Sequence, residues 1–159
     1  MNSKNIFIFS KELTEGNAQD VNLLGGKGAN LAEMCNLGIP VPPGFTISTE
    51  VCNYFLKTNS FPEKFKSSLM GAIKKIEENL GLKFGNPQSP LLFSVRSGAR
   101  QSMPGMMETI LNVGLSEKII KELSLKTKDK RFIYDSYRRL IIMYADVVME
   151  KSNNVEIKD

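Results

Sequence analysis

The strongest constraint on the fold is one stretch, LLFSVRSGARQSMPGMMETILNVGL, at residues 91–115. Leu91 to Val95 is a short apolar run with the length and composition of a buried strand. It breaks into Arg96-Ser97-Gly98-Ala99-Arg100-Gln101-Ser102, which carries two guanidinium groups and no apolar side chain larger than alanine. Pro104 and Gly105 punctuate the loop, and Ile110 to Leu115 reads as a return strand with Thr109 leading in. Arginine offers a rigid fork of donors that matches phosphate, and backbone N–H groups around glycine can reach the same oxygens. The same residues also describe a surface hairpin with solvated arginines. No standard phosphate motif is completed here.

The helices around this hairpin set the class. Pro62 and Glu63 suit a first helical turn, and Phe65, Leu69, Ala72, Ile73, Ile76 and Leu80 follow at spacings of three and four before Gly81 closes the run. Thr49 opens a helix to about Lys57 with Val51, Tyr54 and Phe55 on its face, and Ser116 caps another to about Leu123. A last helix is expected from about Arg131 to Glu150, its stripe formed by Phe132, Ile133, Tyr137, Leu140, Ile141, Tyr144 and Val148. Ile6–Phe9 and Gly44–Ser48 read as strands, and residues 14–20 and 82–90 as turn-rich connections. Strands interrupted by helices indicate an α+β chain.

Residues 21–38, VNLLGGKGANLAEMCNLG, hold the second candidate site. Gly25 and Gly26 break the apolar run, and helical spacing resumes at Lys27, with Leu31, Met34 and Cys35 sharing a face and Gly38 a left-handed cap. A helix start favours anions through its unpaired N–H groups, and a lysine there adds charge. The GxxxxGK[ST] spacing of a Walker loop is absent, and a helix-breaking Gly-Gly beside a solvated lysine fits the same residues.

Composition removes several classes. The 159 residues are 42% hydrophobic and 24% charged with a net charge of +4, which is ordinary for a globular chain. Much of the basic excess lies in residues 118–131, where it describes a solvated surface better than a nucleic-acid site. No apolar run approaches the ~20 residues of a membrane span, and the N-terminal apolar core is shorter than a secretory h-region. Cys35 and Cys52 lack CxxC spacing and read as free thiols in a reducing cytoplasm. Histidine is absent altogether.

Four blocks carry a family resemblance: GGKGANLAEM at 25–34, GIPVPPGF at 38–45, SVRSGARQSMPGMMETILNVGL at 94–115 and YDSYRRLIIMYADVVME at 134–150. Together they resemble the N-terminal part of the pyruvate, phosphate dikinase family, in register over essentially the whole chain. The Ser-Met-Pro-Gly-Met-Met run at 102–107 separates it from the related phosphoenolpyruvate synthases. The resemblance implies the first lobe of an ATP-grasp nucleotide-binding domain at residues 1–115, with residues 116–159 a helical segment of the same domain. Lys27 matches the family's lysine in the GGK motif and Arg96 its arginine in the VRSG motif, both implied to contact ATP phosphates. Ser102, Met103 and Gly105 lie in a segment matching a loop that closes over the nucleotide, and Thr109 stands just beyond it. Met103, Met106 and Met107 are otherwise ordinary gap-fillers.

The family moves the β-phosphoryl of ATP to a histidine on a swivelling domain, phosphate takes the γ-phosphoryl, and pyruvate becomes phosphoenolpyruvate. The implied partners are ATP, phosphate and pyruvate, with no nucleic acid and no membrane. The implied cofactor is Mg²⁺, its carboxylates supplied from outside these residues. The whole enzyme is expected to be a cytoplasmic homodimer, and this chain a monomer or paired with the remainder. Without a histidine this polypeptide is expected to run no dikinase cycle by itself. A synthase-like ATP-binding fragment and a non-catalytic interaction module remain the alternatives. Three further expectations follow: Lys27 and Arg96 face one cleft, Ser97–Met107 is mobile without nucleotide, and ATP binding by this chain is weak.

Overall fold

The computed structural model describes residues 4–98 and 109–150. They fall into two compact units, the first running to Leu80 and taking in Gly98, the second comprising Gly81–Ser97 and the residues from Thr109 onward.

In the first unit, β1 (Ile6–Phe9) pairs antiparallel with β2 (Gly44–Ile47) in the register Ile6 to Ile47 and Ile8 to Phe45. Alternation along β1 turns Ile6 and Ile8 inward. They join Val51 of α2 (Thr49–Thr58) and Phe65 and Ala72 of α3 (Phe65–Leu80) in one core, against which Phe45 and Leu69 pack. Ile76 of α3 is fully buried, a burial worth about 1.5–3 kcal/mol. The periodic stripe of α3 thus holds at Phe65, Ala72 and Ile76, whereas Leu80 is exposed at its end. Tyr54, expected on the core face of α2, is likewise exposed.

After β1 the chain folds back on itself. Leu13 N–H donates to the buried Ser10 Oγ at 3.1 Å, and Glu15 returns to the outer edge of β1. Its N–H donates to the Ile8 carbonyl at 2.8 Å, and its carboxylate accepts the Ile8 N–H at 2.8 Å and pairs with Lys4. The polar connection at 14–20 is therefore anchored at its first residues.

Helix α1 (Val21–Asn36) is longer than its sequence pattern suggested and is kinked at Gly25, whose φ of 70° and ψ of 164° are not helical. It ends as expected. Gly38 has φ 74°, its N–H donates to the Cys35 carbonyl at 2.9 Å, and Ile39 N–H donates to the Met34 carbonyl at 2.9 Å. The face it buries differs from the expected one. Leu24, Gly25, Gly28, Ala29 and Ala32 are buried, while Met34 is exposed. The small residues allow closer backbone approach than Leu31, Met34 and Cys35 would permit, and that approach decides the buried face.

In the second unit the expected strand at 91–95 is divided. Pro90–Leu91 (β4) pairs parallel with Lys83–Phe84 (β3), and β5 starts afresh at Phe93 and runs to Arg96. Leu91 is buried but Val95 is 51% exposed, so the run is not a buried strand. A register shift between Phe93 and Val95 marks a bulge, which interrupts the inward alternation. β5 pairs antiparallel with β6 (Thr109–Val113), the expected hairpin-like return.

Helix α4 (Glu117–Lys126) begins on Ser116, whose hydroxyl accepts the Ile119 N–H, and buries Ile119 and Ile120. Helix α5 (Lys130–Tyr144) begins on Asp129, whose carboxylate accepts the Phe132 N–H at 2.9 Å, and passes into a π-helical turn at Ala145–Glu150. It packs on β6 and α4. The expected apolar stripe of α5 is not a buried face, since no residue of this helix is buried and Phe132, Ile141 and Tyr144 are exposed. An apolar stripe records an affinity for cover, and the described residues supply only part of it.

Candidate functional site

Lys27 sits two residues beyond the Gly25 kink, in a helix that effectively restarts there. A non-helical φ/ψ breaks the ladder of i to i−4 hydrogen bonds, so the N–H groups that follow resemble those of a fresh helix start. Those donors and a lysine on the same turn make a local concentration of positive potential. Lys27 is half-buried.

Two close approaches explain the glycines on either side. A Cβ on Gly25 would lie 2.7 Å from the Gly98 carbonyl oxygen, and one on Gly28 would lie 2.6 Å from Thr46 Cγ2 and 2.9 Å from Thr46 Oγ1. The first contact seats the glycine of the VRSG motif against the kink; the second sets α1 tightly on β2. Thr49 adds an anchor by donating its hydroxyl to the Asn22 carbonyl at 2.6 Å. Sequence inspection placed Gly25 and Gly26 as a break but missed the role of Gly28. Its spacing from Gly25, one helical turn, was the available signal.

Arg96 closes β5 and is register partner to Thr109, the first residue of β6. It therefore lies in the strand and not, as expected, in the loop. Its side chain is exposed and Thr109 is half-buried. Directly opposed residues on antiparallel strands hold their Cβ atoms about 5 Å apart, so the two side chains start from one locality. Ser102, Met103 and Gly105 lie outside the described residues, as does the stretch of Ser97–Met107 from Ala99 onward that was expected to be mobile.

Each unit contributes a side chain that suits an anion better than a metal, Lys27 in the first and Arg96 in the second. Lys27 and Arg96 are cations, and among the described residues there is no group of three or more His, Cys, Asp or Glu side chains able to hold a metal ion. No helix among the described residues is long and apolar enough to cross a membrane.

Helices together with small two-stranded sheets define an α+β chain. Residues 21–69 and 59–154 match the family model described as pyruvate phosphate dikinase, AMP/ATP-binding domain. The chain belongs to that family. It is 51% identical over 154 residues to pyruvate, phosphate dikinase of Rhizobium meliloti (strain 1021), an overlap covering 96% of this chain and 17% of the relative. It is 55% identical over 137 residues to pyruvate, phosphate dikinase of Clostridium symbiosum, covering 86% and 16%. With pyruvate, phosphate dikinase 2 of Oryza sativa subsp. japonica the identity is 47% over 145 residues, covering 91% and 16%. The chain thus spans about a sixth of the length of these relatives, all of them named as dikinases.

Proposed function

We propose that this chain supplies phosphate contacts within the ATP-binding region of a pyruvate, phosphate dikinase. In that reading the whole protein converts ATP, phosphate and pyruvate to AMP, diphosphate and phosphoenolpyruvate, works in the cytoplasm as a homodimer, and builds its nucleotide site on an ATP-grasp plan. The observation that carries the proposal is the Gly25 kink, which restarts α1 immediately before Lys27 in a chain of this family.

Lys27 and the N–H groups around it hold phosphate oxygens, and Arg96 adds a forked donor beside the Thr109 hydroxyl. Phosphoryl transfer depends on charge placed around the oxygens more than on covalent help, so such contacts are functional in themselves. Ser102, Met103 and Gly105 complete the nucleotide contacts. Mg²⁺ would neutralise phosphate charge in the whole enzyme, but the described residues do not form a site for it, and its ligands are assigned elsewhere in the protein. The accepting histidine is also assigned elsewhere, because this sequence has none.

The test is calorimetric titration of the chain with ATP, alongside an assay with ATP, phosphate and pyruvate. Weak, salt-sensitive binding that falls in Lys27→Ala, with no turnover, is expected. Micromolar binding unaffected by both Lys27→Ala and Arg96→Ala would remove the assignment.

A further inference from the structure

A groove of about 430 Å³ opens between β1 and α3, within the first unit, and Lys27 does not line it. Its helix wall carries Lys64, Ser68, Gly71 and Lys75, and on the other wall Lys4 and Glu15 flank β1. The spacings of four, three and four put the helix-wall residues on one face. Lys64 already belongs to that helical path, since its carbonyl accepts the Ser68 N–H at 3.1 Å.

We propose that this groove binds a small molecule carrying two separated phosphate groups. Three ammonium groups face a single carboxylate, which leaves the groove with an excess of two positive charges. Glu15 is committed to Lys4 and to the Ile8 N–H, and Lys75 is close enough to stabilise its negative charge. Among the described residues, neither Lys64 nor Lys75 has a carboxylate within ion-pair distance. Gathering like charges costs folding free energy, so an anion is the natural complement.

The dimensions select the kind of anion. Eleven residues separate Lys64 from Lys75, about 16 Å between their backbones along a helix, so two phosphates on one carbon skeleton can give each ammonium group its own oxygens, whereas one phosphate would need both side chains fully extended toward each other. Lysine is a compact point charge suited to phosphate oxygens. The groove volume falls in the ~300–1,000 Å³ range of small-molecule sites. An extended peptide is disfavoured because Glu15 already occupies the β1 edge at Ile8 through both backbone and side chain. Gly71 leaves the groove open, with no atom within 4 Å of where its Cβ would stand. The site is independent of the ATP assignment.

Fructose 1,6-bisphosphate is the probe, titrated into the 159-residue chain at low ionic strength, with inorganic phosphate and citrate as separate arms. Saturable one-site binding is expected for the bisphosphate, at least about tenfold tighter than for inorganic phosphate or citrate. Both Lys64→Ala/Lys75→Ala and Gly71→Met should weaken it by about tenfold or more, the first by removing charge and the second by filling the groove. Gly71→Met replaces a helical glycine facing open space, so its circular dichroism and melting temperature should be preserved. Binding should survive Lys27→Ala, which separates this groove from the ATP assignment. Absence of saturation, equal affinity for phosphate or citrate, indifference to the groove variants, or loss in Lys27→Ala would each overturn the proposal.

Discussion

Gly25 and Gly98 meet backbone to backbone: a Cβ on Gly25 would lie 2.7 Å from the Gly98 carbonyl oxygen, and Gly25 itself has φ 70°. Space and conformation therefore both demand glycine. Gly25→Ala should destabilise the first unit by about 1–3 kcal/mol, the range for one strained backbone position. Denaturant unfolding measures the loss, and a change within error of zero would show that the kink can relax.

The neighbouring glycine obeys a different rule. Gly28 has ordinary helical geometry but faces Thr46, with Cγ2 at 2.6 Å from an added Cβ. Gly28→Ala should cost about 1–3 kcal/mol through overpacking. Thr46→Ala removes both crowding atoms, so the double variant should recover much of that loss. Simple additivity in the four-member cycle would argue against the contact as the cause.

For the nucleotide, Arg96→Lys is more informative than Arg96→Ala. A guanidinium fork can engage two phosphate oxygens at once and an ammonium cannot. The lysine variant should bind ATP almost as poorly as the alanine variant, with a loss of about tenfold, near the low end for a charge-assisted hydrogen bond. Full recovery by lysine in the same titration would reduce Arg96 to a point charge.

Glu15 predicts an acid response. Burial pushes its carboxyl upward, but the Ile8 N–H, the Lys4 hydrogen bond and charge, and Lys75 outweigh it and hold the pKa below the ordinary value of 4.5. A carboxylate with a depressed folded pKa contributes stability that is present above the unfolded pKa and is lost as pH falls through the folded one. Thermal melting should therefore drop below about pH 4.5 in the native chain, and Glu15→Gln should be less stable near neutrality with a flatter acid limb. Parallel acid limbs for the two proteins would exclude Glu15 as a contributor.

Much of this fold was legible because its signals are local. Gly38 ends α1 in the conformation that only a residue without Cβ adopts freely, and Ser116 and Thr109 mark starts that need no distant partner. Phe65, Ala72 and Ile76 keep helical period strongly enough to survive any tertiary preference. The buried face of α1 was not legible. Its order depends on how near β2 comes, and sequence periodicity ranks Leu31 above Gly28 when close approach ranks them the other way. The division of 91–96 was hidden too, because Pro90 and the bulge after Phe93 re-pair a run that looks continuous. Lys27 and Arg96 were singled out as candidates by motif, and a helix start at Lys27 was expected from the Gly-Gly break; that helical geometry also precedes the break, with Gly25 alone departing from it, is visible only in the backbone angles.

The aromatic residues on α5 carry a spectroscopic consequence. The chain has no tryptophan and four tyrosines, and three of them, Tyr134, Tyr137 and Tyr144, stand on this helix, which leaves Tyr54 alone in the first unit. Intrinsic emission therefore reports mainly on the second unit, and a fluorescence melt can register its unfolding while remaining nearly blind to the kink and the groove. Phe61, stacked at 4.8 Å on the buried Phe65, is the position where a substituted indole would give the first unit a signal of its own.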